Sequence, residues 1–483
     1  MHHALEIEEI LLNIFDHCDY TSGDWRYRDK PTLASLARTC RTFKEPALNL
    51  LWEELIHLSP LAQCLPESSH FINDEALYSF SRPLTQTEWD TLQSYTCRIR
   101  SIVKFYCGLD WESAVTFLDP PATRPLFPNL RTLSCDYRDE TMALLNLPLP
   151  SLISLEVTFQ DSRLFRSSLK LFPKFSPNIR KIDVFVDDLA GAATFSKIEP
   201  NYICRWKNLT SVVCCQFALD VHELAHLSRM PALTELHFML SATLSPFDSP
   251  LFFPSLHNLT LDSQSLKPIS RLLSQIRLPV VRSFTASVCD CPSRLQFSSF
   301  WPSFRTASTG HTVERLKLTH SYDPSPNFTR SESPLLGFED FQPCLAFSNL
   351  RLMDINVGWN VDLTDGDLLM LASAWPCLEE LSINMDWGWN TPAGITPNGL
   401  LRLLESCQSL KCAALVIDPR GYTESLRSEE SIGLTPRREF TFRVLDSIIE
   451  AESVPAMATF FASISPRTDF FLSVIRTAMV NTE

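Results

Sequence analysis

The sequence predicts an α/β chain: a short block of three helices, then a curved solenoid of parallel strands that line its concave face, each strand returning through a helix. Two observations carry that expectation. An apolar spacing recurs at intervals of about 28 residues from Leu130 to Leu410. Residues 4–55 have helical periodicity instead and do not fit the repeat. Size agrees, because 483 residues, 45% of them hydrophobic, exceed what one core holds, roughly 250–300 residues.

The repeat is anchored at Leu130, Leu133 and Cys135. The same spacing returns at Leu152/Leu155/Val157, Ile179/Ile182/Val184, Leu209/Val212/Cys214, Leu233/Leu236/Phe238 and Leu256/Leu259/Leu261. It continues at Val281/Phe284/Ala286, Val313/Leu316/Leu318, Leu350/Met353/Ile355, Leu378/Leu381/Ile383 and Leu410/Ala413/Leu415. The last two anchors are two residues apart, so they share one face of a short strand. Pro128, Pro150, Pro177, Pro231, Pro254, Pro279 and Pro376 all stand two residues before a first anchor, where proline ends a helix and sets an extended start. Helical faces lie between strands, as at Leu224/Leu227, Leu368/Leu371 and Leu400/Leu403/Leu404, with Asp365 and Pro397 suited to helix starts. A weaker first unit reads as a helix over Trp89–Tyr95 and a strand at Ile99 and Ile102. Phe440–Leu445 reads as a last strand, Pro455–Ile464 as a capping helix, and Tyr422–Arg438 as an exposed loop.

In the amino-terminal block, Ile7, Ile10, Leu11, Ile14 and Cys18 fall on one helical face. Pro31 opens a second helix with Leu33, Leu36, Ala37 and Cys40 on one side, and Glu45–Pro46 a third with Leu48, Leu51, Trp52 and Leu55 aligned. The predicted organisation is therefore residues 1–55 as the helical block, 56–125 as a helical linker and first repeat, 126–420 as the main repeats, and 421–483 as a loop and cap.

Charge and cysteine usage narrow the function. Forty-two basic against 56 acidic side chains give −14, which repels phosphate backbones, so nucleic acid is not an expected partner. No apolar run reaches the ~20 residues of a membrane span. The opening MHHALEIEEI has acids where a secretory signal needs an apolar core. Fifteen cysteines lie within apolar patterns, as at Cys40, Cys135, Cys214, Cys377 and Cys407, and no CxxC pair exists. They read as reduced, buried thiols in the cytosol or nucleus, with neither metal nor cofactor expected.

The run from Leu363–Thr364–Asp365 through Trp375–Pro376 to Ile383 resembles the leucine-rich repeats of F-box proteins. The segments Ile7–Glu8–Glu9–Ile10–Leu11, Ile14–Phe15, Leu33 and Leu36, Cys40–Arg41 with Phe43, and Leu48 with Leu51–Trp52 resemble an F-box, with Ile7 and Glu8 standing where that family has Leu-Pro. The order, F-box first and repeats after, is similar to fungal proteins of this architecture. The resemblance implies a non-catalytic adaptor of a cullin–RING ubiquitin ligase. A Skp1-type linker would bind the helical block, and through it a cullin; the repeats would capture a protein substrate. Carried over by motif position, the linker contacts are Ile7, Ile10, Leu11, Ile14, Phe15, Leu36, Cys40, Leu51 and Trp52, unless these residues simply form the three-helix core.

A substrate would lie on strand positions between the anchors, among them His237, Lys317 and Asp354. Trp359 and Trp387 each stand four residues beyond a last anchor, and Trp389 follows; they read either as a loop-tip hot spot for a peptide or as packing under the loop edge. His222-Glu223-Leu224-Ala225-His226 is a literal HExxH, the spacing of zinc peptidases, yet it sits in phase with the repeat and has no continuation supplying a third ligand. The alternatives to the adaptor are thus a repeat scaffold outside any ligase and, remotely, a metallopeptidase. No catalytic residue is assigned.

Overall fold

The computed structural model describes residues 7–17, 30–105, 108–119, 121, 125–136, 144, 147–159, 172–186, 203–241, 244–320, 334–420, 440–450 and 452–464. The chain divides into two compact units, Met1–Phe217 and Ala218–Glu483.

The first unit opens with α1 (Glu8–Asp16), α2 (Lys30–Ala37) and α3 (Arg41–Glu53). Helix α3 begins four residues before the expected Glu45–Pro46. Cys40, in extended conformation, is its N-cap, and Pro46 is buried inside it. There follow β1 (Glu54–Leu55), α4 (Ser59–Ala62), β2 (His70–Ile72), β3 (Tyr78–Phe80), α5 (Gln86–Thr96), β4 (Ser101–Phe105) and α6 (Trp111–Leu118). The unit closes with β5 (Thr132–Asp136), β6 (Ser154–Phe159), β7 (Lys181–Val186) and β8 (Ser211–Ala218). Strands β4 to β8 pair in parallel with their neighbours, so the weak repeat at Ile99 and Ile102 is a true one. The ladder starts earlier still, because β1 pairs in parallel with β4 directly after α3. Strands β2 and β3 form an antiparallel hairpin inside the expected helical linker.

The second unit contains α7 (Val221–Ser228), β9 (Glu235–Leu240), β10 (Leu251–Phe252), β11 (Asn258–Ser263), α8 (Leu266–Ser274), β12 (Ile276–Arg277), β13 (Ser283–Val288), α9 (Arg294–Ala307) and β14 (Arg315–His320). It continues through β15 (Leu335–Leu336), α10 (Phe338–Phe341), β16 (Leu352–Asn356), β17 (Asn360–Val361), α11 (Asp365–Ala374), β18 (Glu380–Ile383), α12 (Pro397–Ser406), β19 (Cys412–Ala414), β20 (Thr441–Arg443) and α13 (Val454–Ile464). Its main sheet runs β9, β11, β13, β14, β16, β18, β19, β20, every pair parallel and in register at the repeat anchors. The two short parallel pairs β10–β12 and β15–β17 join the returning segments. Each unit is thus a ladder of parallel strands built on the repeated anchors. The loop expected at Tyr422–Arg438 lies outside the described residues.

Burial follows the anchors. In β9, Leu236, Phe238 and Leu240 are inward while Glu235, His237 and Met239 alternate outward, and β11 and β13 repeat the pattern. A fully buried leucine or phenylalanine stabilises by about 1.5–3 kcal/mol, and no single repeat can bury its own. The residues before four of the first anchors tie repeats together. Asn129 Nδ2 donates to Cys97 O, Ser151 Oγ to Pro128 O, Asn178 Nδ2 to Pro150 O and Asn349 Nδ2 to His311 O, each at 2.7 Å. Proline suits this phase because it offers a carbonyl without a competing N–H.

Among the described residues no helix is long and apolar enough to cross a membrane. Cys135, Cys214, Cys344 and Cys407 are buried as expected of packed thiols, but Cys377 and Cys289 are exposed and Cys40 is half-buried. A cysteine adjoining a first anchor, such as Cys377 beside Leu378, faces solvent because the anchor takes the inward position.

Candidate functional site

The helical block separates its apolar residues into two sets. Leu11, Phe15, Leu33 and Ala47 form its core, with Leu36, Ala37, Phe43, Leu50 and Leu51 packed against them. Phe15 meets Phe43 edge-on at 5.4 Å. Ile7, Ile10 and Ile14, at i, i+3 and i+7, remain 42%, 36% and 43% exposed in one row along α1. The apolar arc of α1 is therefore wider than the bundle covers.

The nine residues expected to meet a linker are thus not equivalent. Leu11 and Phe15 are corrected to core residues, since they are 1% and 3% exposed. Leu36 and Leu51 pack partly against that core. Cys40 caps α3, and its carbonyl accepts Lys44 N at 3.1 Å. Trp52 packs at a tilt against Tyr95 of α5, with ring centroids 4.8 Å apart. Only the isoleucine row combines exposure with alignment.

On the strand face of the second unit, His237, Thr260, Thr285, Lys317, Asp354 and Ser382 occupy one register column. Its charges are satisfied locally. His237 Nε2 lies 2.7 Å from Asp262 Oδ2, and Lys317 Nζ lies 3.9 Å from Asp354 Oδ2. Burial pushes the Asp354 carboxyl up, Lys317 draws it back and Asp386 pushes it up again.

The tryptophans do not form an exposed patch. Trp359 and Trp389 are fully buried, and their indole N–H groups donate to Pro292 O and Ile383 O, both at 2.9 Å. Trp359 also packs on Phe297 at 4.9 Å. Large indoles under a loop edge bury much area once the N–H has a partner, and packing wins over display. Trp387 is half-buried against His320.

The HExxH segment has a structural account. Glu223, 1% exposed, accepts from Asp220 N at 3.0 Å while Asp220 Oδ1 accepts from Glu223 N at 2.8 Å, a capping box at the start of α7. His222 is exposed and His226 half-buried. No group of three or more metal-ligating side chains occurs among the described residues.

One column escaped the sequence reading, which considered only mid-strand positions. The residue after each first anchor sits where its strand starts, and its N–H donates to the equivalent carbonyl one repeat back. In the second unit Glu314, Arg351, Glu379 and Lys411 bond in this way to Arg282, Glu314, Arg351 and Glu379 at 2.7–2.8 Å. Their signs alternate. Arg282 is 3.7 Å from Glu314, and Glu379 takes Lys411 Nζ at 2.8 Å and Arg351 Nε at 2.6 Å. Lys411, then Arg351, hold the Glu379 carboxyl below the usual carboxylate range. In the first unit the same column reads Glu53, Arg100, Arg131, Ile153, Arg180 and Thr210, bonded at 2.7–2.9 Å in the same way.

No family model matches the sequence, and no curated protein matches it. Among solved structures the chain is similar to an internalin from Listeria monocytogenes, with a TM-score of 0.32 and 13% identity, covering 71% of this chain and 87% of that one.

Proposed function

We propose that this protein is a substrate-recognition adaptor of a Skp1–cullin–F-box type ubiquitin ligase, without catalytic residues of its own. A Skp1-type linker docks on the helical block and connects it to a cullin, while the repeat ladder holds the protein to be modified. The observation that carries the reading is the exposed row of Ile7, Ile10 and Ile14 on a block whose core is already filled by Leu11, Phe15, Leu33 and Ala47. Exposed aligned isoleucines on a small bundle are a surface that a partner helix covers at a gain of about 25 cal/mol per Å². The F-box resemblance of the same residues supplies the partner's class.

The test is co-purification of the full chain with a Skp1-type protein, comparing wild type with Ile10→Asp and Ile14→Asp. Loss of the complex in both variants, with unchanged circular dichroism, is the expected result. A wild-type chain that takes up no linker, or variants that still bind it, would overturn the proposal.

A further inference from the structure

The column of residues at the strand starts differs between the two units in one respect. In the second unit it neutralises itself, plus against minus, as Arg282, Glu314, Arg351, Glu379 and Lys411. In the first unit Arg100, Arg131 and Arg180 are exposed, and among the described residues none of the three has an ion pair or a side-chain hydrogen bond. Arg98 beside them is different, since Glu45 accepts its guanidinium at 2.7 Å. Arg131 N bonds Arg100 O directly, so two like charges sit on adjacent strands, an arrangement that is destabilising when left alone. A guanidinium cannot relieve this by losing its proton. Glu53 stands one strand before Arg100 in the same column, with no ion pair between the two; the outward acids Glu156 and Asp183 stand three residues further along their strands, roughly 10 Å away, and neither is ion-paired with the row.

We propose that Arg100, Arg131 and Arg180 form a docking row for a short acidic peptide segment laid across the strands, whose anionic side chains supply the missing partners. Three inter-strand steps of about 4.8 Å separate Arg100 from Arg180, so the row spans roughly 14 Å. An extended peptide covers that in about four or five residues at ~3.3 Å each. The ligand is therefore a segment with two or three carboxylates or phosphates in such a stretch, held by forked guanidinium hydrogen bonds. A peptide is favoured over nucleic acid because the whole chain carries −14 and repels a long polyanion, while a three-residue row serves a short one. The inference rests on the adaptor reading only in making this segment part of the ligase target; the binding itself does not need a linker.

Fluorescence anisotropy of the full-length protein with a labelled peptide of alternating glutamate and serine tests this, beside its phosphoserine counterpart, a glutamine-for-glutamate control and an oligothymidine. Either anionic peptide binding, with affinity falling as salt rises, is the expected result, and comparison of the two identifies carboxylate or phosphate as the source. Arg131→Gln should weaken binding about tenfold, and the triple change of Arg100, Arg131 and Arg180 to Gln should abolish it. Lys267→Gln, on the exposed side of α8, should leave it unchanged. All these side chains are exposed, and circular dichroism checks that the variants fold. Equal binding of the glutamine peptide, comparable binding of the oligothymidine, no binding of either anionic peptide, or undiminished binding by the triple variant overturns the row. Ile10→Asp should bind peptide as wild type does. A chain that binds peptide but no linker sinks the adaptor and keeps the row; one that binds linker but no peptide does the reverse.

Discussion

His320, at the end of β14, stacks on Trp387 with ring centroids 5.0 Å apart and planes 7° from parallel. Its Nε2 lies 2.8 Å from Cys289 O. Burial holds the imidazole below its ordinary pKa, with the Cys289 carbonyl and Asp290 pulling the other way. The unfolded chain therefore takes up a proton at this histidine where the folded one resists it, and stability is lost as pH falls through the ordinary histidine range near 6.5. Urea midpoints at about pH 7.5 and about pH 5.5 should show the drop, and His320→Gln should flatten it. An unaltered slope in that variant would assign the pH dependence elsewhere.

Leu11 and Ile10 are neighbours in sequence with opposite duties. Leu11→Ala should destabilise the helical block by about 2–5 kcal/mol, because it leaves a cavity in a small core. Ile10→Ala should stay within about 0.5 kcal/mol, because its side chain is already in water. Thermal denaturation of the two variants measures the contrast; equal losses would mean that the row on α1 is structural.

Gly388 adopts φ +70°, and a Cβ there would come within 2.6 Å of the Asp446 carboxylate. That carboxylate accepts Trp389 N at 2.8 Å and Asn390 N at 2.9 Å, so it cannot simply swing away. Gly388→Ala should cost about 1–3 kcal/mol and loosen the turn over Trp389. Near-ultraviolet dichroism of the tryptophans, together with the melting temperature, reads both effects. A variant with wild-type values in both would show that the turn tolerates a side chain.

Glu223→Ala should destabilise by about 1–2 kcal/mol through the lost capping box, and Glu223→Gln by less, since the amide oxygen can still accept from Asp220 N. A chelator should leave the melting temperature of the wild type where it was. A chelator-sensitive melt would revive a metal role for His222 and His226.

Much of the fold was legible because strand burial is a local property. The anchors from Leu130 to Leu415 mark the inward positions, and every one is buried in the ladder of its own unit. The helix starts were legible too, since α11 begins at Asp365 and α12 at Pro397. What the spacing does not contain is the second role of Asp365: Thr364 supplies the N-cap of α11, and the Asp365 carboxylate receives Thr396 N at 2.7 Å and Thr396 Oγ1 at 2.6 Å from the next repeat. That role depends on which repeat is the neighbour. The candidate site was read less well, because helical periodicity groups Ile10 with Leu11 and cannot say which of them the bundle covers.

The sequence by itself determined the repeat, its phase and the distinct helical block, because these follow from which side chains avoid water at a period of two or of 3.6. Only the tertiary structure decided that Trp359 and Trp389 lie beneath the loops, that Leu11 and Phe15 fill a core while Ile7, Ile10 and Ile14 stay outside it, and that Arg100, Arg131 and Arg180 share a row without an ion pair among the described residues. Each of those depends on what lies one strand or one helix away, and that distance is set by lateral packing between residues far apart in the chain.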